Sequence, residues 1–323
     1  METIPRTTHR IKFPGRNITT RQLFFIILIF LCLTPWVTPP VALLMGLVVA
    51  QLIGHPFLHL NQKATHLLLQ VSVVGLGFGM NVHSAFKAGK QGILFTIISI
   101  FGTLILGRLL GKILKIDPRT SLLVSGGTAI CGGSAIAAIS PVIRAEEKQI
   151  SVALGTVFIL NSMALFIFPL IGRYFHLSET QFGIWCAIAI HDTSSVVGAA
   201  GKYGPHALEI ATTVKLARAL WIIPVSLGAA VFNRNKSVKI KIPWFIGIFL
   251  LVMIINTYVP AVSTIAPVLV SVAKTGLTLT LFLIGAGLSM TVLRAVGIKP
   301  LVQGIILWVV ISVVAFWAVY TLL

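Results

Sequence analysis

Long apolar runs separated by short polar gaps fill the chain from about residue 22 onward. A helix rises about 1.5 Å per residue, so a run of about 20 apolar residues crosses a bilayer core. The pattern predicts eleven spans, near 22–38, 39–54, 64–80, 91–111, 120–143, 150–171, 181–201, 206–232, 243–258, 266–290 and 300–322. No gap has room for a soluble domain. The expected fold is all-α: a polytopic membrane protein with a single transmembrane domain over 22–323, behind a polar, basic segment at 1–21. No small-x-small cleavage site follows that segment, so the first run reads as a retained span and not as a signal peptide.

Composition sharpens this picture. Of 323 residues, 57% are hydrophobic and 10% charged, with a mean hydropathy of +1.00, whereas a soluble chain carries roughly 25% charged residues for its surface. The net charge of +18 would suit nucleic acid only if the cations shared a polar face. They sit instead in the gaps between apolar runs, and no nucleic-acid partner is expected. Cytoplasmic loops are enriched in Lys and Arg. Alternate gaps hold 17 and 5 of them, which predicts a cytoplasmic N-terminus and a C-terminus outside. Cys32, Cys131 and Cys186 stand alone in apolar sequence, so neither a disulfide framework nor a metal site is expected, and no cofactor is implied.

GLGFGMNV (Gly75–Val82) and GAGLSMTV (Gly285–Val292) are alike, and each precedes a basic stretch and then QGI (Gln91–Ile93, Gln303–Ile305). Seven predicted crossings separate the copies, so they would face opposite ways, as in the inverted repeats of secondary transporters. Glycine-rich apolar helices also resemble one another by composition alone.

The densest constellation is SGGTAICGGSAIAAISP, Ser125 to Pro141, inside the fifth span. Gly126, Gly127, Gly132 and Gly133, with Ser125, Thr128 and Ser134, each weaken a helix, at about 1 kcal/mol per interior glycine. An interruption between about Ala129 and Ser134 is expected. Broken backbone at membrane depth is tolerated where it is buried or lines a cavity, and the N-terminus of a second half-helix near Gly133 and Ser134 would favour an anion. Close packing of small residues is the alternative. Cys131 lacks a paired His and reads as an inert thiol, though it sits in the candidate binding segment.

His191 and Asp192 form an intramembrane His–acid pair, a costly arrangement that normally serves a purpose; it could carry a coupling proton or hold helices together. Thr193, Ser194 and Ser195 follow it. Lys215 and Arg218 lie three apart, on one helix face, and would repel unless an anion or Asp192 lay between them. They are candidate substrate ligands, with snorkelling to an interface as the alternative. Lys274 is nearer a helix end. Asn161 and Asn81 could line the site or act as helix–helix glue.

SGGTAICGGSAIAAISPVIRAEE, with AIHDTSSVVGAAGKYG (Ala189–Gly204), VKLARALWIIP (Val214–Pro224) and KIPWFIGIFLLVMIIN (Lys241–Asn256), resembles the YeiH family of bacterial inner-membrane proteins, often labelled sulfate exporters. That family is grouped with the cation:proton antiporter and anion transporter superfamily. The resemblance implies two inverted repeats of about five helices, near 39–172 and 181–323, each with a broken crossing helix. It also implies that the tenth span, at Gly285 and Gly287, partners the fifth.

The expected function is a secondary transporter of a small anionic solute, sulfate or sulfonate-like, in the bacterial inner membrane, with proton coupling open. Its partners would be the solute and the bilayer, and a homodimer stays open. No GxxxxGK[ST] pattern supports direct ATP drive. A passive channel is one alternative. An intramembrane hydrolase is another, but no GxSxG or HExxH motif supports it, and the expected answer is not an enzyme.

Overall fold

A computed structural model describes residues 10–13, 16–232, 244–288 and 297–323. Residues 289–292 of the second repeat copy, the end of the expected tenth span, and Arg234, Lys236, Lys239, Lys241 and Arg294 lie outside the described residues. The described chain is helical apart from one antiparallel strand pair, β1 (Arg10–Phe13) and β2 (Arg16–Thr19), within the basic opening segment. The chain is an all-α polytopic membrane protein. Five of its helical runs are long and apolar enough to cross a bilayer: Leu94–Ile113, Lys148–Tyr174, Pro205–Ala229, Ala266–Gly287 and Ile298–Leu322.

The expected spans coincide with helices in the same order, beginning with α1 (Thr20–Cys32), α2 (Pro39–Leu52), α3 (Leu58–Leu76) and α4 (Val82–Ile113). Two runs depart from expectation. The fifth is a pair of helices, α5 (Pro118–Ala129) and α6 (Gly133–Val142). A Cβ on Gly126 would lie 2.7 Å from Ile139 Cδ1, and one on Gly127 2.9 Å from Ile136 Cδ1. Rising numbers on α5 meet falling numbers on α6, so α6 returns antiparallel beside α5. The next helix, α7 (Glu147–Tyr174), starts where α5 starts: Gln149 Nε2 donates to Asp117 Oδ2 at 2.9 Å, and the same carboxylate caps α5 by accepting the Thr120 N–H.

The seventh run repeats this arrangement from the other end. It consists of α8 (Glu179–Ala189) and α9 (Thr193–Tyr203). The Tyr203 ring stacks on Phe182, centroids 3.7 Å apart, and its hydroxyl donates to the Leu177 carbonyl. Glu179, at the start of α8, accepts the N–H groups of His206 and Ala207 at the start of α10 (Pro205–Ala219). Both runs are therefore re-entrant hairpins and not crossing helices. Their legs hold 10 to 12 residues, about 15–18 Å, which is half of a ~30 Å bilayer core. The 28-residue α7 runs between their bases, so the hairpins enter from opposite ends and their tips meet in the middle.

This correction changes the charge pattern. Arg144 and Lys148 move to the basic end, beside Lys115 and Arg119, while Arg173, whose guanidinium donates to the Lys202 carbonyl, moves to the opposite end. Counted over the gaps between apolar runs in the sequence, with these two runs turned back, the Lys and Arg split becomes 18 against 4. Removing two crossings leaves the parity of the count unchanged.

After α10 come α11 (Ile222–Phe232), α12 (Trp244–Tyr258), α13 (Pro260–Ser263), α14 (Ala266–Gly287) and α15 (Ile298–Leu322). α3 and the short 3-10 turn after it (Gly77–Gly79) run antiparallel to α14, Gly75 against Ala273 and Gly79 against Val270. Around the hairpins, α4 packs on α5 and α10, and α15 on α8 and α7. Gln303 of α15 ties this shell together, donating to the Gly107 carbonyl and to the hydroxyls of Ser121 and Ser125.

Candidate functional site

Each hairpin tip has a local cause. At the first, Gly132 adopts φ +63°, in the left-handed region where a side chain is costly, and the chain reverses between Ala129 and Gly133. The interruption falls in the segment its glycines and hydroxyls predict. At the second tip, Asp192 is the N-cap of α9: its carboxylate accepts the N–H groups of Ser194 and Ser195 at 3.1 and 3.2 Å, and both their hydroxyls. His191 and Asp192 thus lie in the break and not on one continuous helix. The His191 N–H donates to Asn161 Oδ1 of α7 at 2.9 Å.

The two tips leave the carbonyl ends of α5 and α8 facing the interior, where unpaired acceptors are expensive and partial negative charge accumulates. Lys215 and Arg218 of α10, both fully buried, supply the donors. Lys215 Nζ donates to Ile130, Ala187 and Ile190 at 3.2, 3.3 and 2.6 Å. Arg218 donates from Nε at 2.8 Å and from Nη2 to the Ala129 carbonyl, and from Nη1 to Ile188 at 2.8 Å. Each cation bridges both hairpins. Neither lies at an interface, and neither is held by Asp192: the ion pair found among the described residues is His206–Glu209, at 3.6 Å. The like-charge repulsion expected of this pair is offset by two helix C-termini, not by a carboxylate.

The remaining candidates divide. Ser125, Gly126, Gly127, Thr128 and Cys131 are buried in the first hairpin. Ser125 donates to the Ser121 carbonyl within its own helix. Gly133 opens α6 without a side-chain cap, and Ser134 is exposed. Among the buried polar atoms without a hydrogen-bond partner, Thr128 Oγ1, Asn161 Nδ2 and both ring nitrogens of His191 belong to residues at or beside the tips, while the others lie elsewhere in the structure. No Ser–His or Cys–His pair is assembled by that ring.

Gly285 and Gly287 are not brought to this site. α14 runs unbroken through Gly285 to Gly287, and a Cβ on Gly285 would come to 2.2 Å from the Leu43 carbonyl oxygen of α2. Gly285 is kept small by helix contact, and the second interruption falls in the seventh run. Asn81 lies apart, accepting the His83 N–H. Lys274 and Glu209 line a separate cavity of about 100 Å³ with Thr212 and Met80.

The second break, at Ile190–Asp192, was legible only in the spacing of Asp192 before Ser194 and Ser195, an N-cap pattern that marks a helix start. The capped carbonyls belong to Ala and Ile residues, whose side chains carry no signal of the role.

The family described as "Conserved hypothetical protein 698" matches residues 29–317. A UPF0324 membrane protein of Bacteroides thetaiotaomicron is 56% identical over 88% of this chain and 87% of its own. One of Porphyromonas gingivalis is 53% identical over 87% and 86%. One of Bdellovibrio bacteriovorus is 49% identical over 90% and 91%. No solved structure matches significantly. The chain belongs to this UPF0324 family, with which the YeiH resemblance is consistent.

Proposed function

We propose that this UPF0324 membrane protein is a secondary transporter of a small anionic solute, sulfate or sulfonate-like, working by alternating access in the bacterial inner membrane. The observation that carries this reading is the meeting of two opposed re-entrant hairpins at a polar centre. Interrupted helices near the midplane are where secondary transporters bind their solutes. Tips anchored from opposite faces can be exposed to one side at a time, as alternating access requires.

Charge favours an anion. The centre holds Lys215 and Arg218 against a single carboxylate, Asp192. The helix ends contribute in opposing pairs, two C-termini on the cations and two N-termini at Gly133 and Thr193, which leaves one formal positive charge in excess with His191 neutral. Buried polar groups are ordinarily paired, so Thr128, Asn161 and His191 are the donors a solute would engage. His191 is the candidate for proton coupling, beside Asp192. The 18-to-4 charge split supports an N-terminus in the cytoplasm and a C-terminus in the periplasm. The hydrolase alternative lacks such support, since no nucleophile is seated on His191.

The test is a thermal-shift screen of purified protein against sulfate, alkylsulfonates, small carboxylates and matched cations. A ligand of the folded state stabilises by mass action. Saturable stabilisation by one anion class is expected. Stabilisation by organic cations alone would overturn the anion assignment.

A further inference from the structure

All three N–H bonds of the Lys215 ammonium are directed at backbone carbonyls: Ile130 from one hairpin tip, Ala187 and Ile190 from the other. This is the donor set by which interrupted transporter helices hold a free alkali cation, unwound carbonyls at half-helix C-terminal ends. The ammonium is fully buried and sits where two helix dipoles present their negative ends. Arg218 takes the adjacent carbonyls, Ala129 and Ile188, so α10 supplies side-chain donors to the negative ends of both tips.

We infer that the hairpin tips form a monovalent-cation site whose permanent occupant is the Lys215 ammonium, so that the protein needs no bound Na⁺ or K⁺ to assemble its solute site. The site stands on hydrogen-bond geometry. Only its consequence, solute movement independent of alkali cations, rests on the transporter reading. A tethered ammonium supplies the charge and the donors that an alkali ion would bring, and cannot leave. The two hairpins are then joined in every state in which Lys215 keeps all three bonds.

Truncation tests this directly. Lys215→Ala removes three methylenes and the ammonium, which is the outline of n-propylammonium. Adding n-propylammonium chloride to the purified variant should raise its Tm saturably, by about 4 °C or more. Tetramethylammonium, charged but without N–H donors, and 1-propanol, without charge, should not. Lys215→Met, which fills the same space, should not respond. Equal effects of all three additives on Lys215→Ala, or an equal response of the unsubstituted protein, would overturn the proposal.

If Lys215→Ala cannot be recovered folded, the unsubstituted protein decides. Its Tm in NaCl, KCl and N-methylglucamine chloride at equal ionic strength should agree within about 1 °C, and a saturable stabilisation specific to Na⁺ or K⁺ would contradict an occupied site. Solute uptake by reconstituted protein, measured separately, distinguishes the two claims. Rescue without any uptake keeps the site and removes the transporter reading, whereas uptake that requires Na⁺ removes the site's proposed role.

Discussion

Gly132 at the tip of the first hairpin faces the backbone of His191 at the tip of the second: a Cβ added to Gly132 would lie 3.3 Å from the His191 carbonyl oxygen. Contact and conformation act together here, because Gly132 also has φ +63°. Gly132→Ala is therefore expected to lower stability by about 1–2 kcal/mol through left-handed strain, with further loss from crowding at the tips. The melting temperature in detergent checks it. A variant as stable as the parent would mean the tips do not constrain each other.

Arg218 should be the more damaging position. Its loss leaves the Ala129 and Ile188 carbonyls without donors at two buried helix ends, and each buried acceptor left unpaired costs about 1–3 kcal/mol. Arg218→Met should yield little monodisperse protein, and Arg218→Lys should restore the charge but not the fork that reaches both carbonyls. Size-exclusion profiles and melting curves of the two variants distinguish these outcomes.

Asp192 has two roles that substitution can separate. Asp192→Asn keeps an N-cap acceptor for Ser194 and Ser195 while removing a negative charge, so the fold should persist and anion affinity should rise by roughly tenfold or more, the effect of one charge within about 12 Å at an effective dielectric near 20. Asp192→Ala loses the cap as well and should be destabilised by about 1 kcal/mol. Calorimetric titration with the anion found by screening checks the first, thermal melting the second.

Topology provides an independent check. In intact cells, Arg144→Cys should resist a membrane-impermeant maleimide and Arg173→Cys should react, since the re-entrant hairpins place these exposed positions at the basic and the opposite end, respectively. Crossing helices at 118–142 and 179–203 would give the reverse pattern. The native Cys32, Cys131 and Cys186 are buried, which keeps background labelling low.

Much of this architecture was legible in the sequence, and the part that was not has a physical reason. Hydropathy locates apolar runs but not their direction, and the two legs of a re-entrant hairpin sum to the length of one crossing helix. The 118–142 break showed itself because glycines and hydroxyls disfavour a helix interior; its return did not, although Arg144 and Lys148 stood as exceptions to the charge rule that re-entry removes. Lys215 and Arg218 were singled out as interior cations, but their partners are main-chain carbonyls, which every residue carries and no side-chain pattern reveals. The likeness of Gly75–Val82 to Gly285–Val292 pointed to α3 and α14, which do run antiparallel in contact. It did not mark a second break at Gly285, because small residues serve close helix packing equally well.

The central claim, that the hairpin centre carries an anion across the membrane by alternating access, is tested most directly by counterflow. Purified protein is reconstituted into liposomes loaded with unlabelled sulfate, or with the anion that most stabilises it, and entry of the labelled anion is followed from outside. The account predicts saturable uptake, accelerated by the unlabelled anion within and reduced by Gly132→Ala. Uptake no greater than in protein-free liposomes, or a flux that neither saturates nor responds to anion on the far side, would contradict it.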